Sequence, residues 1–104
     1  MVVMDRNNIK KMAMIFRMLS NPNRLQILCS CQEKSISVSD IVGSLNLSQS
    51  LISHHLKQLR DANLVQATRQ GKNMLYQLQD KRVQCILEDV FSHAISGSKR
   101  GHKK

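Results

Sequence analysis

The feature that most restricts this chain is the stretch "SVSDIVGSLNLSQSLISHHLKQLRDANL", Ser37 to Leu64, where two short helical periods meet across a brief break. Val38, Ile41, Val42 and Leu45 make one apolar face at helical spacing, with Ser37 or Ser39 available as its N-cap. "NLS", Asn46 to Ser48, interrupts the period, and Ser48 can cap a second helix running to about Ala62. On that helix Ile52, Leu56 and Leu59 recur at i, i+4 and i+7, and Leu51 extends the stripe. Ser50, Ser53, His54 and Lys57 fall mainly on the other side. Two short helices joined by a tight turn, the second with polar side chains facing out, form a helix-turn-helix pattern.

Upstream, Ile9, Met12, Ala13, Phe16 and Leu19 predict an amphipathic helix over 8–19. "SNPN", Ser20 to Asn23, ends it, because Pro22 disfavours helix at Asn21 and suits the first turn of the next helix. That helix, about 22–33, is apolar through Leu25, Ile27, Leu28, Cys29 and Cys31 and is expected to be deeply buried. Downstream of the helix-turn-helix the period changes. Leu64, Gln66 and Thr68, then Met74, Tyr76 and Leu78, flank "RQGK", Arg69 to Lys72, and predict a β-hairpin with Gly71 at its tip. A last helix, about 82–95, carries Val83, Ile86, Leu87, Val90 and Ala94 on one face. The end, "SGSKRGHKK", is small, polar and basic, so 97–104 is expected to be a disordered tail on a single domain, 1–96. The order is α-α-α-α-β-β-α, mainly α with a β-hairpin, and no internal repeat is present.

A chain of 104 residues sits near the lower end of what buries a comfortable core alone, so pairing with a second copy would add burial. With 41% hydrophobic but only 3% aromatic residues, packing must rest on Leu, Ile, Val and Met. Sixteen Lys and Arg against seven Asp and Glu leave +9, which favours a polyanionic partner and would also draw the chain to a membrane surface. No apolar run approaches the ~20 residues that span a bilayer, and "MVVMDRNNIKKM" lacks a signal-peptide core. The expected location is cytoplasmic, without membrane association. Three cysteines, an odd number without a secretion signal, point to reduced thiols.

A helix-turn-helix followed by a basic-tipped hairpin is a winged helix-turn-helix. Its second helix suits a DNA major groove, while Arg69 and Lys72 would approach the flanking backbone or minor groove. "LSNPNRLQIL", "LSQSLISHHLKQLRDANLV" and "RQGKNMLYQL" resemble the successive signatures of the ArsR/SmtB family of bacterial winged-helix repressors, over roughly Met12 to His93. The resemblance implies a homodimer whose first and last helices pack across a twofold axis. It also implies promoter binding that a metal, metalloid or thiol-directed inducer relieves.

His54 and His55 are consecutive on a helix, hence ~100° apart, and do not face one metal; a metal pair needs i, i+4 spacing. A Ser53–His54 dyad has no orienting carboxylate at suitable spacing, and helix neighbours do not face each other. Short hydrogen-bonding side chains suit base edges and phosphates instead. The plain alternative, a solvated helix face, is weakened by the wing and the charge.

The inducer sites that the resemblance implies are incomplete here. Arsenic-sensing members resemble "CVCDL" at the start of the helix before the turn. Here "SVSDI" puts Ser37 and Ser39 in the two thiolate positions, and hydroxyls are poor ligands for a thiophilic ion. Zinc- and cobalt-sensing members carry Asp-x-His and His-x-x-His on the last helix. The matching residues are Asp80, Arg82, His93 and Ser96, so two ligands are lost, with His102 in the tail the one candidate replacement. Persulfide-sensing members pair a cysteine in the second helix with one near the end of the last. Cys29 matches the first and Ile95 the second, while Cys85 lies ~15 Å back along the helix axis. Cys29 and Cys31 lie ~200° apart round their helix and would neither bridge nor chelate together. Two readings of them stay open: small packed apolar residues, or a thiol sensor at Cys29.

The sequence therefore points to a homodimeric repressor that binds double-stranded DNA at an imperfect inverted repeat, with no cofactor and no catalytic or metal residues. Gln49, Ser50, Ser53 and His54 are expected to read the major groove, and Lys57, Arg60, Arg69 and Lys72 to neutralise phosphates. An interface between subunits is expected from Met12, Phe16 and Leu19 with Val83, Ile86, Leu87 and Val90. The competing readings are a protein-interaction module on the same scaffold, a thiol- or persulfide-responsive regulator acting through Cys29, and, last, a thiol enzyme, for which no cysteine has an evident activating base.

Overall fold

The computed structural model describes residues 5–96, so the expected tail, 97–104, with His102, lies outside the described residues. The order is α1 (Arg6–Leu19), α2 (Pro22–Ser30), β1 (Ile36–Ser37), α3 (Val38–Leu45), α4 (Gln49–Asp61), β2 (Val65–Gln70), β3 (Asn73–Leu78) and α5 (Lys81–Ser96). The winged helix-turn-helix is as read from the sequence, with one element added: β1. It pairs antiparallel with β3, Ile36 opposite Tyr76 and Ser37 opposite Leu75, making a three-stranded sheet in the order β1-β3-β2. Two residues carry no readable alternation, so periodicity cannot reveal this strand.

Short polar side chains set most helix starts. Asp5, Asn21, Ser37 and Ser48 each accept a hydrogen bond from the backbone N–H three residues on, capping α1 to α4. Ser37 is thus the cap of α3, and Ser39 lies inside the helix. Asp80 takes the N–H groups of Arg82 and Val83 at 2.9 and 3.3 Å and does the same for α5. Asn46 ends α3 in the left-handed region (φ 58°, ψ 39°), and Asn63 (φ 61°) turns the chain out of α4. Both are residues that tolerate that region. Helix α2 ends earlier than its composition suggests, because the N–H groups of Cys31 and Gln32 bond three residues back, to Leu28 and Cys29, and tighten the last turn.

In the hairpin, Gln70 pairs with Asn73, which leaves Gly71 and Lys72 as a two-residue turn. Gly71 has φ +63° at the first of these positions, where type II′ hairpin turns call for glycine. A side chain there would meet open space, so the backbone angle alone restricts the position.

The core forms where α2, α3 and α4 converge and the sheet closes over them: Ile27, Leu28, Ile41, Ile52, Leu56 and Leu59 are buried, with Val65, Leu78 and Leu87 added by the sheet and α5. On β2 the inward side chains are Val65 and Ala67, while Gln66 and Thr68 are exposed. One expectation fails here: Cys29 is exposed although its neighbours Ile27 and Leu28 are fully buried. Leu87, Leu19 and Val83, expected above at a subunit interface, also pack on this chain's own core. A helix stripe wide enough to serve both purposes divides at the point where the core runs out, and a sequence cannot mark that point.

Arg24 braces the arrangement from α2. Its guanidinium donates to the carbonyl oxygens of Met18 and Arg17 at the C-terminal end of α1, at 2.8 and 3.2 Å, and to Gln58 Oε1 on α4 at 3.1 Å. The orphan carbonyls of α1 thereby gain a cationic donor.

Leu56 occupies the centre of the core at 1% exposure. Leu56→Ala is therefore expected to lower unfolding stability by about 2–5 kcal/mol, whereas Ser53→Ala, on the outer face of the same helix, should stay within about 0.5 kcal/mol. Urea unfolding of both variants checks this, and equal losses would contradict the assigned faces.

Candidate nucleic-acid interface

Burying Ile52, Leu56 and Leu59 turns the opposite arc of α4 to solvent. Gln49, Ser50, Ser53, His54, Lys57 and Arg60 are all exposed, and so are Arg69 and Lys72 on the wing. Lys57 lies 3.3 Å from Asp61, one turn on, and both side chains are open to water at 76% and 68% exposure. Such a pair contributes at most about 1 kcal/mol, so it ties the lysine down only weakly. Arg60 stands roughly 16 Å along the axis from Gln49, at the far end of the same face.

The two histidines separate as their spacing requires. Their rings are 6.0 Å apart and inclined at 51°; His54 is exposed and His55 is 5% exposed. The Nδ1 of His55 is buried without a hydrogen-bond partner among the described residues. Burial, then the nearby Arg24 cation and His54, push its pKa below the ordinary 6.5, and only the Gln58 side chain pulls the other way. His55 is a neutral core residue and His54 belongs to the outer face.

Helix α4 and the wing meet in a polar hollow of about 230 Å³ lined by Ser37, Ser39, Gln49, Lys72, Asn73 and Tyr76. Of the eight residues expected at a DNA interface, the hollow brings together Gln49 and Lys72. Ser50, Ser53, His54, Lys57 and Arg60 continue along α4, and Arg69 sits on β2 outside it. Ser39 and Asn73 were not foreseen as part of this surface. The only signal for them is the β1–β3 pairing, which carries the first turn of α3 past Met74 and Asn73.

The sensing positions can be placed as well. Ser37 spends its oxygen on the N–H of Asp40 at 3.2 Å. Asp80 caps α5 and pairs with Arg82 at 3.1 Å, and that guanidinium holds its carboxyl below the ordinary 3.8. His93 is exposed three turns further along α5. Among the described residues no group of three His, Cys, Asp or Glu side chains comes together to hold a metal. All three cysteines are free thiols. Cys31 is buried, and burial followed by repulsion from Cys29 pushes its pKa up to about 12, so packing is its role. Cys29 borders an apolar groove with Leu25, Leu45, Leu87, Val90 and Phe91. Burial of its sulfur raises its pKa too, against an opposing hydrogen bond to Gln32. Cys29 has the access that a thiol sensor needs and lacks the lowered pKa. Cys85 is exposed on α5.

A helix-turn-helix whose second helix shows a polar face beside a basic wing defines a winged-helix regulator. Comparison with known proteins makes this specific. The model of bacterial regulatory proteins of the arsR family matches residues 21–67. A transcriptional repressor SmtB homolog of Synechocystis sp. is 32% identical over 91 residues, covering 88% of this chain and 69% of that protein. The transcriptional activator HlyU of Vibrio cholerae is 33% identical over 85 residues, covering 82% and 78%. The solved structure of HlyU superposes with a TM-score of 0.78 at 31% identity, over 88% of this chain and 97% of that one. A winged helix-turn-helix domain from Mycobacterium bovis, described as homodimeric, reaches 0.85 over 100% and 99% of the two chains at 22% identity, a likeness of fold. The chain belongs to the ArsR family of bacterial regulatory proteins.

The neutral, buried His55 makes stability pH-dependent. Its folded pKa lies below the unfolded value of 6.5, so its contribution is complete above 6.5 and is lost as pH falls from there toward the folded value. Urea midpoints at pH 7.5 and 5.5 should therefore differ less for His55→Leu than for the wild type; an equal acid loss in the variant would refute the assignment.

Proposed function

We propose that this chain is a homodimeric transcriptional repressor that occludes promoter DNA by binding an imperfect inverted repeat. The observation that carries the reading is the common outward face of α4 and the wing, with Gln49 and Lys72 lining one hollow. Gln49, Ser50, Ser53 and His54 address base edges. Lys57, Arg60, Arg69 and Lys72 neutralise phosphates, and a net charge of +9 supplies the attraction that precedes contact. The SmtB homolog supports repression, while HlyU is named an activator, so a promoter-reporter assay with and without the protein decides the sign. This is a regulator and not an enzyme. Among the described residues no helix is long and apolar enough to cross a membrane, which accords with action on DNA in the cytoplasm.

The dimer rests on a second feature. Among the described residues, the large apolar side chains left exposed all lie on α1 and α5, with Phe16, Val90 and Phe91 at 62%, 61% and 62%. A patch of this kind marks an interaction surface. Two copies meeting there would aim two α4 helices at successive half-sites.

Two outcomes are expected. First, the logarithm of affinity falls linearly with the logarithm of salt concentration. Lys72→Ala and Arg69→Ala weaken binding to all sequences and each reduce the salt slope by about 1, while Ser53→Ala and His54→Ala also relax sequence preference. Mobility shifts on a duplex selected from a random library test this, and salt-independent binding would refute it. Second, Val90→Asp yields a folded monomer in sedimentation with DNA affinity reduced at least ~10-fold, because half of the phosphate contacts are lost. Val90 is the right position; an aspartate at the buried Leu87 would unfold the chain. A wild-type monomer at micromolar concentration would overturn the dimer.

A further inference from the structure

We propose that the hollow between the first turn of α3 and the turn end of the wing seats one backbone phosphodiester of bound DNA, with Ser39 and Asn73 as contact residues beside Lys72 and Gln49. The inference rests on the DNA-binding reading above and adds a ligand subsite to it.

Its chemistry points to a phosphate. The walls combine an ammonium group at Lys72, amides at Gln49 and Asn73 and hydroxyls at Ser39 and Tyr76, and no carboxylate lines them. Every one of these groups can donate a hydrogen bond, and a phosphate oxygen only accepts. None of the five side chains makes a hydrogen bond or ion pair with another described residue, so the donors are uncommitted. Ser37 is different, since its oxygen already caps α3. With neither thiolate, imidazole nor carboxylate in its wall, the hollow does not suit a cation.

Size narrows the ligand. At about 230 Å³ the space is smaller than the roughly 300–1,000 Å³ of sites that enclose a free small molecule. It fits a compact group carried on a larger body. The body is at hand, because Gln49 belongs both to this hollow and to the exposed face of α4.

Rigidity completes the case. Ser37 pairs with Leu75, so the chain passes Met74 and Asn73 as it winds into α3. Asn73 pairs in turn with Gln70, closing the two-residue turn at the tip of the hairpin. The donors of α3 and of the wing are thus joined by strand pairing rather than by a loose loop. A phosphate gripped from both sides would set the register of α4 in its groove without reading any base.

Ser39 provides a clean test, because it is exposed and occupies the second position of α3. Acidic residues at the start of a helix are favourable, so Ser39→Glu should keep or raise the melting temperature. The same carboxylate would repel a phosphate, and DNA affinity should fall at least ~10-fold for every sequence. Asn73→Ala should weaken binding several-fold with an unchanged salt slope, because it removes no charge. On the selected duplex, replacing each backbone phosphate in turn by a neutral methylphosphonate should show one position per half-site that costs Asn73→Ala measurably less than it costs the wild type, since part of that contact is already gone. Wild-type affinity in Ser39→Glu, or additive effects of Asn73→Ala with every methylphosphonate, would overturn the seat and leave DNA binding standing. Failure of the wild-type protein to bind any duplex would instead overturn the reading beneath it.

Discussion

Burial of one stripe on α4, Ile52, Leu56 and Leu59, against Ile27, Leu28 and Ile41 is the constraint on which everything else depends. Each side chain taken fully out of water contributes about 1.5–3 kcal/mol. Together they leave α4 a single rotational setting. The outward display of Gln49, Ser50, Ser53 and His54 is the geometric remainder of that burial. His55 shows how strict the setting is: one residue beyond His54, its imidazole is pressed into the core, with Nδ1 unpartnered among the described residues and its pKa pushed down by burial.

Orientation of the helix alone would leave the wing unanchored. The Ile36–Ser37 strand joins β3 just before α3 begins, and Leu78 and Gln79 send their N–H groups back to the carbonyl oxygens of Cys31 and Leu64. The hairpin is therefore bonded to the helix-turn-helix on both of its sides, which sets where the wing stands beside α4. On the opposite flank Arg24 ties the end of α1 to α4 through three hydrogen bonds. A shift of α1 relative to α4 would have to break them.

The inducer positions make a coherent contrast. Ser37 and Asp80, where the resemblance implied metal or metalloid ligands, cap the helices that follow them. Their oxygens are committed to backbone N–H groups, and Arg82 adds a fixed cation beside Asp80. Cys29 and Cys31 diverge in the same physical way. Two residues apart near the end of α2, one thiol enters the core and the other opens on an apolar groove beside α5.

Much of this was legible in the residues themselves, for a local reason. The caps Ser37 and Ser48, the break at Asn21–Pro22, the stripe on α4 and the glycine of the hairpin act within one or two turns of chain, so their pattern determined the helix-turn-helix, the wing and the outward row on α4. Three matters were decided only in three dimensions. Strand β1 has too few residues to show a period and exists because β3 offers it an edge, and with it come Ser39 and Asn73 beside Lys72. The division of α5 into a buried Leu87 and an exposed Val90 and Phe91 depends on where a core built from other segments ends. The exposure of Cys29 beside the fully buried Ile27 and Leu28 follows from the direction in which α2 leaves that core. Local patterns name the face that wants burial, but only the packing of distant segments determines how much of it is covered.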